Sequence, residues 1–317
     1  MVLTANGWVS STAVEIALML KILLLGKNGQ VGWELQRSLA PLGDVLALDR
    51  YSTSHCGDLS QPEQLAQTVL SYKPDFIVNA AAHTAVDKAE SEPELAKVLN
   101  TDAPAALAKA AAQVGAWLVH YSTDYVFDGS GTHARQEGEG TGPLSVYGQT
   151  KLDGEKAIVA SGCKYVIFRT SWVYAARGGN FAKTMLRLAQ DRDKLTVIND
   201  QHGAPTGAEL IADVTAQAMR RVLNTQNISL GGVYHLVASG ETTWHGYANH
   251  VIDQAKRLSP ALNWKVAEVA AVATSAFPTP ATRPLNSRLC NTKLQQAFGL
   301  VLPPWQQGVD RMLAEIL

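Results

Sequence analysis

Short continuous apolar runs recur along the first half of the chain, and between them the apolar residues spread to helical intervals. The runs lie in KILLLG (21–26), VLALDR (45–50), PDFIVNAAA (74–82), AWLVHYSTDYVF (116–127) and YVIFRTSWVY (165–174). A run of this length without polar alternation is what a strand buried on both faces requires. The stretches QPEQLAQTVLSY and APAALAKAAAQVG between them read as helices. Strands alternating with helices predict an α/β fold with a doubly wound parallel sheet. Right-handed crossovers then gather the functional loops at the carboxyl ends of the strands.

Past about residue 175 the pattern changes. GGNFAKTMLRLAQ and ELIADVTAQAMRRVL read as helices, LTVIND as a short strand, and QHGAPTG as a Gly/Pro loop. AVATSAFPTPATRPLNSRL is rich in Pro, Thr and Ser and precedes a helix around 292–298. Residues 1–20 are mildly apolar, lack a basic start and are interrupted by Glu15, so they read as an appendage rather than a membrane span.

Composition narrows the field without choosing a function. The 317 residues are 46% hydrophobic and 17% charged, ordinary for a soluble globular chain. A formal net charge of -1 makes no electrostatic case for nucleic acid. Three widely spaced cysteines, Cys56, Cys163 and Cys290, fit neither a disulfide framework nor a zinc site. A reducing, cytoplasmic location is the expectation, with no membrane partner.

Directly after the first apolar run, Gly26, Gly29 and Gly32 form G-x-x-G-x-x-G. Glycines here let the backbone turn tightly and approach a pyrophosphate seated on a helix N-terminus. Asp49 closes the next run about 20 residues on, where an acid would accept hydrogen bonds from an adenosine ribose. Read structurally, the glycines are a tight turn and Asp49 a strand-end residue. Arg50 beside it would suit a 2′-phosphate, so the choice between NADH and NADPH stays open. The dinucleotide-binding domain is expected over 21–174, and 175–317 as a mainly substrate-binding region partly interleaved with the sheet.

SVYGQTK (145–151) puts Tyr147 and Lys151 four residues apart, on one face of a helix. Alone, that is also a surface helix with a solvated lysine. Thr123, at the end of the fourth run, is alone an ordinary β-branched strand residue. Together the three are what carbonyl reduction by a nicotinamide requires. Hydride arriving at a ketone carbon leaves charge on oxygen, and Tyr147 would supply the proton. Lys151 would lower the phenol pKa and hold a ribose, and Thr123 would orient the carbonyl.

With GKNGQVGWELQ, IVNAAAHTAVDKAE, HYSTDYVF, VYGQTKLDGEKA, RTSWVY, VINDQHGAPTG and RPLNSRL, the chain from about residue 20 onward resembles the extended short-chain dehydrogenases that modify nucleotide sugars. The resemblance implies a Rossmann-like fold. It also implies NAD(P)H-dependent reduction of the C4 ketone of a dTDP-linked 4-keto-6-deoxy sugar, namely dTDP-4-dehydro-β-L-rhamnose. By it, Gly29, Gln30, Val31, Asp49, Asp58, Leu59, Ala82, His83, Thr84, Tyr121, Tyr147 and Lys151 contact the nicotinamide cofactor. Thr123, Asp124 and Trp172 hold the sugar, and Asn100 buttresses the site. Trp172 otherwise reads as a half-buried core aromatic. Arg283 and Arg288 suit a diphosphate.

Some relatives pair through a divalent metal held by glutamates. Here Glu209 is the candidate magnesium ligand and a homodimer the candidate assembly, but one carboxylate, with Gln306 and Gln307 near the C-terminus, does not make a carboxylate-rich magnesium site. Dehydratases of the same family carry Asp-Glu after the Thr, whereas Asp124 is followed by Tyr125. The Ser-Ser pair of many epimerases is also missing. Alternative readings are a reductase of another nucleotide 4-keto-6-deoxy sugar and a non-catalytic NADP-binding regulatory subunit.

Overall fold

The structure, a computed structural model, describes residues 3–4, 7–8, 20–225 and 228–317. Leu3–Thr4 and Gly7–Trp8 pair antiparallel. The rest of the expected appendage up to residue 19 lies outside the described residues.

The first half alternates strands and helices. In order they are β1 (Leu20–Leu25), α1 (Gln30–Leu39), β2 (Gly43–Leu48), α2 (Pro62–Tyr72), β3 (Phe76–Asn79), α3 (Ala103–Val114), β4 (Trp117–Thr123), α4 (Val146–Ala160) and β5 (Lys164–Thr170). The second half adds α5 (Phe181–Asp191), β6 (Lys194–Ile198), α6 (Ala208–Thr225), β7 (Gly232–His235), α7 (Trp244–Leu258), β8 (Glu268–Val272), α8 (Thr292–Phe298) and α9 (Trp305–Ile316).

Six strands form one parallel sheet in the order β7-β5-β4-β3-β1-β2. The chain leaves β1 outward to β2, then crosses back to β3. The crevice between β1 and β3 is therefore the topological switch point, where such sheets bind ligands. Every apolar run in the first half became a strand, as its two-sided apolar character predicts. Ile22 and Leu24 face one layer, packing with Leu35 and Leu39 of α1 and Ile211 and Met219 of α6. Leu23 and Leu25 face the other, with Leu65 of α2, Leu107 of α3 and Ile158 of α4. Each such side chain contributes about 1.5–3 kcal/mol on burial.

The sixth strand, β7, comes from the second half and extends the sheet beside β5. Its short GVYH segment, flanked by Gly231 and the polar Asn and Gln residues before it, gives little strand signal in the sequence. Helices α6 and α8 join the first of these layers, whereas α5, α7 and α9 build an apolar cluster of their own. It contains Met185 and Leu186 of α5, Val251 and Ile252 of α7, and Trp305 and Leu313 of α9. No helix among the described residues is long and apolar enough to cross a membrane.

Candidate active site

The glycine turn lies at the carboxyl end of β1. Gly26 adopts φ +85°, which L side chains rarely take, and a Cβ there would lie 2.8 Å from the Ala81 nitrogen. A Cβ on Gly32 would sit 2.0 Å from the Gly26 carbonyl oxygen, so only glycine lets α1 start this close to the turn. No side chain caps α1, which leaves its first-turn N–H groups available to an anion. Gln30 and Val31 open that helix.

Asp49 follows β2 directly and accepts hydrogen bonds from the Tyr51 N–H at 3.0 Å, the Ser52 hydroxyl at 2.9 Å and the Asn28 amide. Asp58 spends its carboxylate on its own turn, through the Ser60 N–H at 2.9 Å, and Leu59 is buried beneath it. Ala82, His83 and Thr84 leave the end of β3. The His83 backbone is clamped by Asn100, which accepts from its N–H at 2.8 Å and donates to its carbonyl at 3.1 Å. Asn100 is fully buried in a π-helical turn, Val98–Asp102, and also donates to the Thr150 hydroxyl at 3.2 Å. Such a widened turn is common at functional sites. Asn100 thus ties the strand-end loop to α4, the buttressing expected of it.

Ser145 caps α4 through the Gly148 N–H at 3.2 Å. One turn in, Tyr147 and Lys151 share the helix face that meets the carboxyl end of β4. The Tyr147 ring meets the Tyr125 ring edge-on, and Thr123 acts to lower the phenol pKa. Thr123 donates to Asp124 at 3.0 Å, which joins hydroxyl and carboxylate at the end of β4. Burial is the largest influence on the phenol and raises its pKa well above the ordinary value. Burial also pushes Asp124 up to about 6, with Ser287 and Thr123 acting the other way.

Lys151 departs from expectation. It is 2% exposed, and its Nζ donates to the Tyr121 carbonyl at 2.6 Å and meets His120 Nε2 at 3.1 Å. Its charge is not aimed at the phenol, so the expected lowering of the Tyr147 pKa by Lys151 is not what this geometry produces. Burial instead pushes Lys151 down to about 8, with Glu155 acting the other way. Tyr121 offers the site its carbonyl, while its hydroxyl pairs with Thr215 at 2.8 Å and its ring packs on Phe168.

Trp172 follows β5 with φ +49°, a rare conformation for a bulky residue and a mark of built-in strain. Its indole is half-buried and stacks on Trp244 at 3.7 Å, and Trp244 donates to Gln201 at 3.0 Å. Sequence reasoning missed Trp244, which lies seventy-odd positions away and shows no local pattern. It also missed Tyr125 and Ser287 beside the reacting pair. Several buried polar atoms at the ends of β4 and β5 have no protein partner: Ser122 Oγ, Asp124 Oδ2, Thr170 Oγ1 and Ser171 Oγ. Unpaired groups of this kind fit a polar ligand. With the glycine cradle, they fit a nicotinamide dinucleotide and a sugar.

The two arginines suggested for a diphosphate are each paired. Arg283 binds Asp87 at 2.7 Å and the Tyr125 hydroxyl at 3.3 Å, and Arg288 binds Glu241 at 2.6 Å. Glu209 is not a solitary carboxylate, which corrects the sequence reading. Glu34 and Glu315 line the same small pocket, and Arg311 lies 3.6 Å from Glu209. Among the described residues, no three acidic, His or Cys side chains converge closely enough to hold a metal ion. Gln306 and Gln307 are exposed.

Against known proteins, residues 20–317 match the family described as RmlD substrate binding domain. The chain is 60% identical over 297 residues to the dTDP-4-dehydrorhamnose reductase of Shigella flexneri, covering 94% of this chain and 98% of that one. It is likewise 60% identical over 299 residues to that of Escherichia coli K12, at the same coverage. The solved dTDP-4-dehydrorhamnose reductase of Bacillus anthracis, in complex with NADP, superposes with a TM-score of 0.81 at 34% identity, covering 94% of this chain and 99% of that one. The glycine turn, the paired Tyr147 and Lys151, and this similarity along nearly the whole chain lead to one conclusion: the chain belongs to the dTDP-4-dehydrorhamnose reductase family, within the extended short-chain dehydrogenases.

Proposed function

We propose that the protein reduces the C4 ketone of dTDP-4-dehydro-β-L-rhamnose to dTDP-β-L-rhamnose with NADPH or NADH. The observation that carries this reading is the meeting of Tyr147 with buried Thr123 and Asp124, with buried Lys151 one turn on. The reduced nicotinamide supplies the hydride when bound. Tyr147 donates the proton to the forming alkoxide, and Thr123, once its hydroxyl turns from Asp124, orients the carbonyl oxygen. Lys151 restores the proton to Tyr147 and holds the ribose.

The turn at Gly26, Gly29 and Gly32, the helix start at Gln30 and Val31, and the strand ends at Asp49, Asp58–Leu59, Ala82–Thr84 and Tyr121 form the cofactor groove in this reading. Asp124 accepts from sugar hydroxyls, and the free part of the Trp172 ring receives the hexose. Residues 21–174 act as the dinucleotide-binding domain, and 175–317 mainly as the substrate region. The reading carries a cytoplasmic location, in keeping with three cysteines that are all free thiols. It also carries a homodimer, to be tested by sedimentation velocity.

The test is oxidation of NADPH and of NADH, followed at the nicotinamide absorbance, with freshly made dTDP-4-dehydrorhamnose. Sugar-dependent oxidation is expected, and the two rates rank the cofactors. Cofactor binding without oxidation would overturn the reductase reading in favour of a binding subunit. Turnover with a different nucleotide 4-keto-6-deoxy sugar alone would overturn the substrate.

A further inference from the structure

Lys151 meets a partner that carbonyl reduction does not require. His120, fully buried on β4, sets Nε2 3.1 Å from Lys151 Nζ and Nδ1 3.2 Å from the Asn79 amide nitrogen. The orientation of that amide follows from the backbone: the Ala81 N–H donates to Asn79 Oδ1 at 3.2 Å, so Nδ2 must be the atom facing His120. An amide nitrogen only donates, so His120 Nδ1 has to accept. The single proton of a neutral imidazole then sits on Nε2 and points at Lys151. An ammonium has three donors and no lone pair, whereas an amine can accept.

We propose that His120, oriented by Asn79, is a positioning residue that biases Lys151 toward its neutral amine by directing an N–H at its nitrogen. To hold an ammonium, the network would have to move the imidazole proton to Nδ1, against the Asn79 amide, or turn that amide away from Ala81. Either change opposes two donors in a buried site. The other groups facing Lys151 do not cancel this bias. The Tyr121 carbonyl accepts from amine and ammonium alike. Glu155, on the next turn of α4, favours the ammonium but is held by the Arg169 guanidinium at 2.6 and 2.9 Å. His120 is itself held well below its ordinary value, first by burial and then by Lys151, in line with a neutral ring.

The consequence rests on the reading of Lys151 as the group that restores the proton to Tyr147. A relay works best when its pKa lies near the working pH. Burial brings Lys151, which ordinarily titrates far above neutrality, down to about 8, and His120, by opposing the ammonium, acts in the same direction. The protonated form serves reduction, so the rate falls as pH rises through the Lys151 pKa. His120→Gln and Asn79→Asp each let an acceptor face Lys151. Asn79→Asp does so by taking the His120 proton onto Nδ1 while still accepting from Ala81.

Two measurements test this on intact protein. In the unaltered chain, nitrogen-15 shifts of the His120 ring report its tautomer. A proton on Nε2 is expected, and one on Nδ1 would overturn the proposal without any variant. Labelled-lysine titration then follows Lys151 directly, with near-ultraviolet circular dichroism confirming that each variant is folded. In both variants the titration is expected to move up by about one pH unit, and the alkaline limb of kcat with it. An unmoved titration in both folded variants would reduce His120 to packing and overturn the proposal. A titration that moves while the rate limb stays still would support the hydrogen-bond assignment and overturn the catalytic reading of Lys151.

Discussion

The two halves of the candidate site are built on opposite principles. At the phosphate end, the glycine turn works by having no side chains: Gly26 and Gly32 leave room for the backbone, and the start of α1 stays uncapped. At the reacting end, the site is crowded with buried polar side chains, and burial shifts the pKa values of Asp124, Lys151 and His120 toward their neutral forms. The first half buries no titratable side chain, since it is made of glycine backbone and a helix start. The second sacrifices stability, because groups such as Ser122 Oγ and Asp124 Oδ2 lie buried without protein partners. A ligand-binding surface can therefore be made of main chain alone, but a proton-transfer centre needs desolvated side chains and a scaffold that tolerates them.

This contrast can be broken at either end. The largest effect is expected from Tyr147→Phe, which keeps the ring and removes the proton. It should lower kcat by about 10²–10⁴-fold with the cofactor Kd nearly unchanged, as steady-state rates and fluorescence titration would read. A variant with near-normal kcat would assign the acid elsewhere. Gly32→Ala should act at the other end, because its Cβ collides with a backbone carbonyl that cannot rotate away. A loss of about 1–3 kcal/mol in stability and a weaker cofactor Kd are expected in thermal melts and titrations, with the pH profile of kcat preserved.

Asp124→Asn should change sign between stability and function. The folded carboxyl titrates near 6, above the ordinary 3.8, so its ionisation opposes folding. That penalty is absent below about pH 4, grows as pH rises to 6 and stays constant above. The amide avoids it, so the variant should gain up to about 3 kcal/mol at pH 7, less what its own hydrogen bonds fail to match, while binding the sugar more weakly. Equal melting temperatures of the two proteins at pH 4 and a gap at pH 7 would bear this out. The smallest effect belongs to Asp49→Asn, at a half-buried carboxylate. The ratio of NADPH to NADH efficiency should rise by less than about tenfold, since each hydrogen bond contributes about 1 kcal/mol.

Much of this architecture could be read from local spacing. The unbroken apolar runs became β1 to β5 because a strand covered on both faces has no polar side to display. Gly26, Gly29 and Gly32 sit where a strand turns into a helix, and Tyr147 and Lys151 share a face because α-helical periodicity puts them there. The β7 strand was not legible, since four residues carry too little periodicity to stand out from a loop. Trp244, Glu34 and Glu315 were equally silent, because each meets its partner across a long stretch of chain.

The sequence by itself determined which segments form strands and helices, where the backbone can turn tightly, and that a phenol and a lysine occur one turn apart. These are consequences of short-range sterics and hydrophobic periodicity, which act between near neighbours. Only the tertiary structure decided where the lysine points. Packing α4 onto the end of β4 set Lys151 against the Tyr121 carbonyl and His120, and burial then shifted its pKa. Electrostatics in a protein depends on what surrounds a charge from every direction, and most of that surrounding comes from residues distant in the chain.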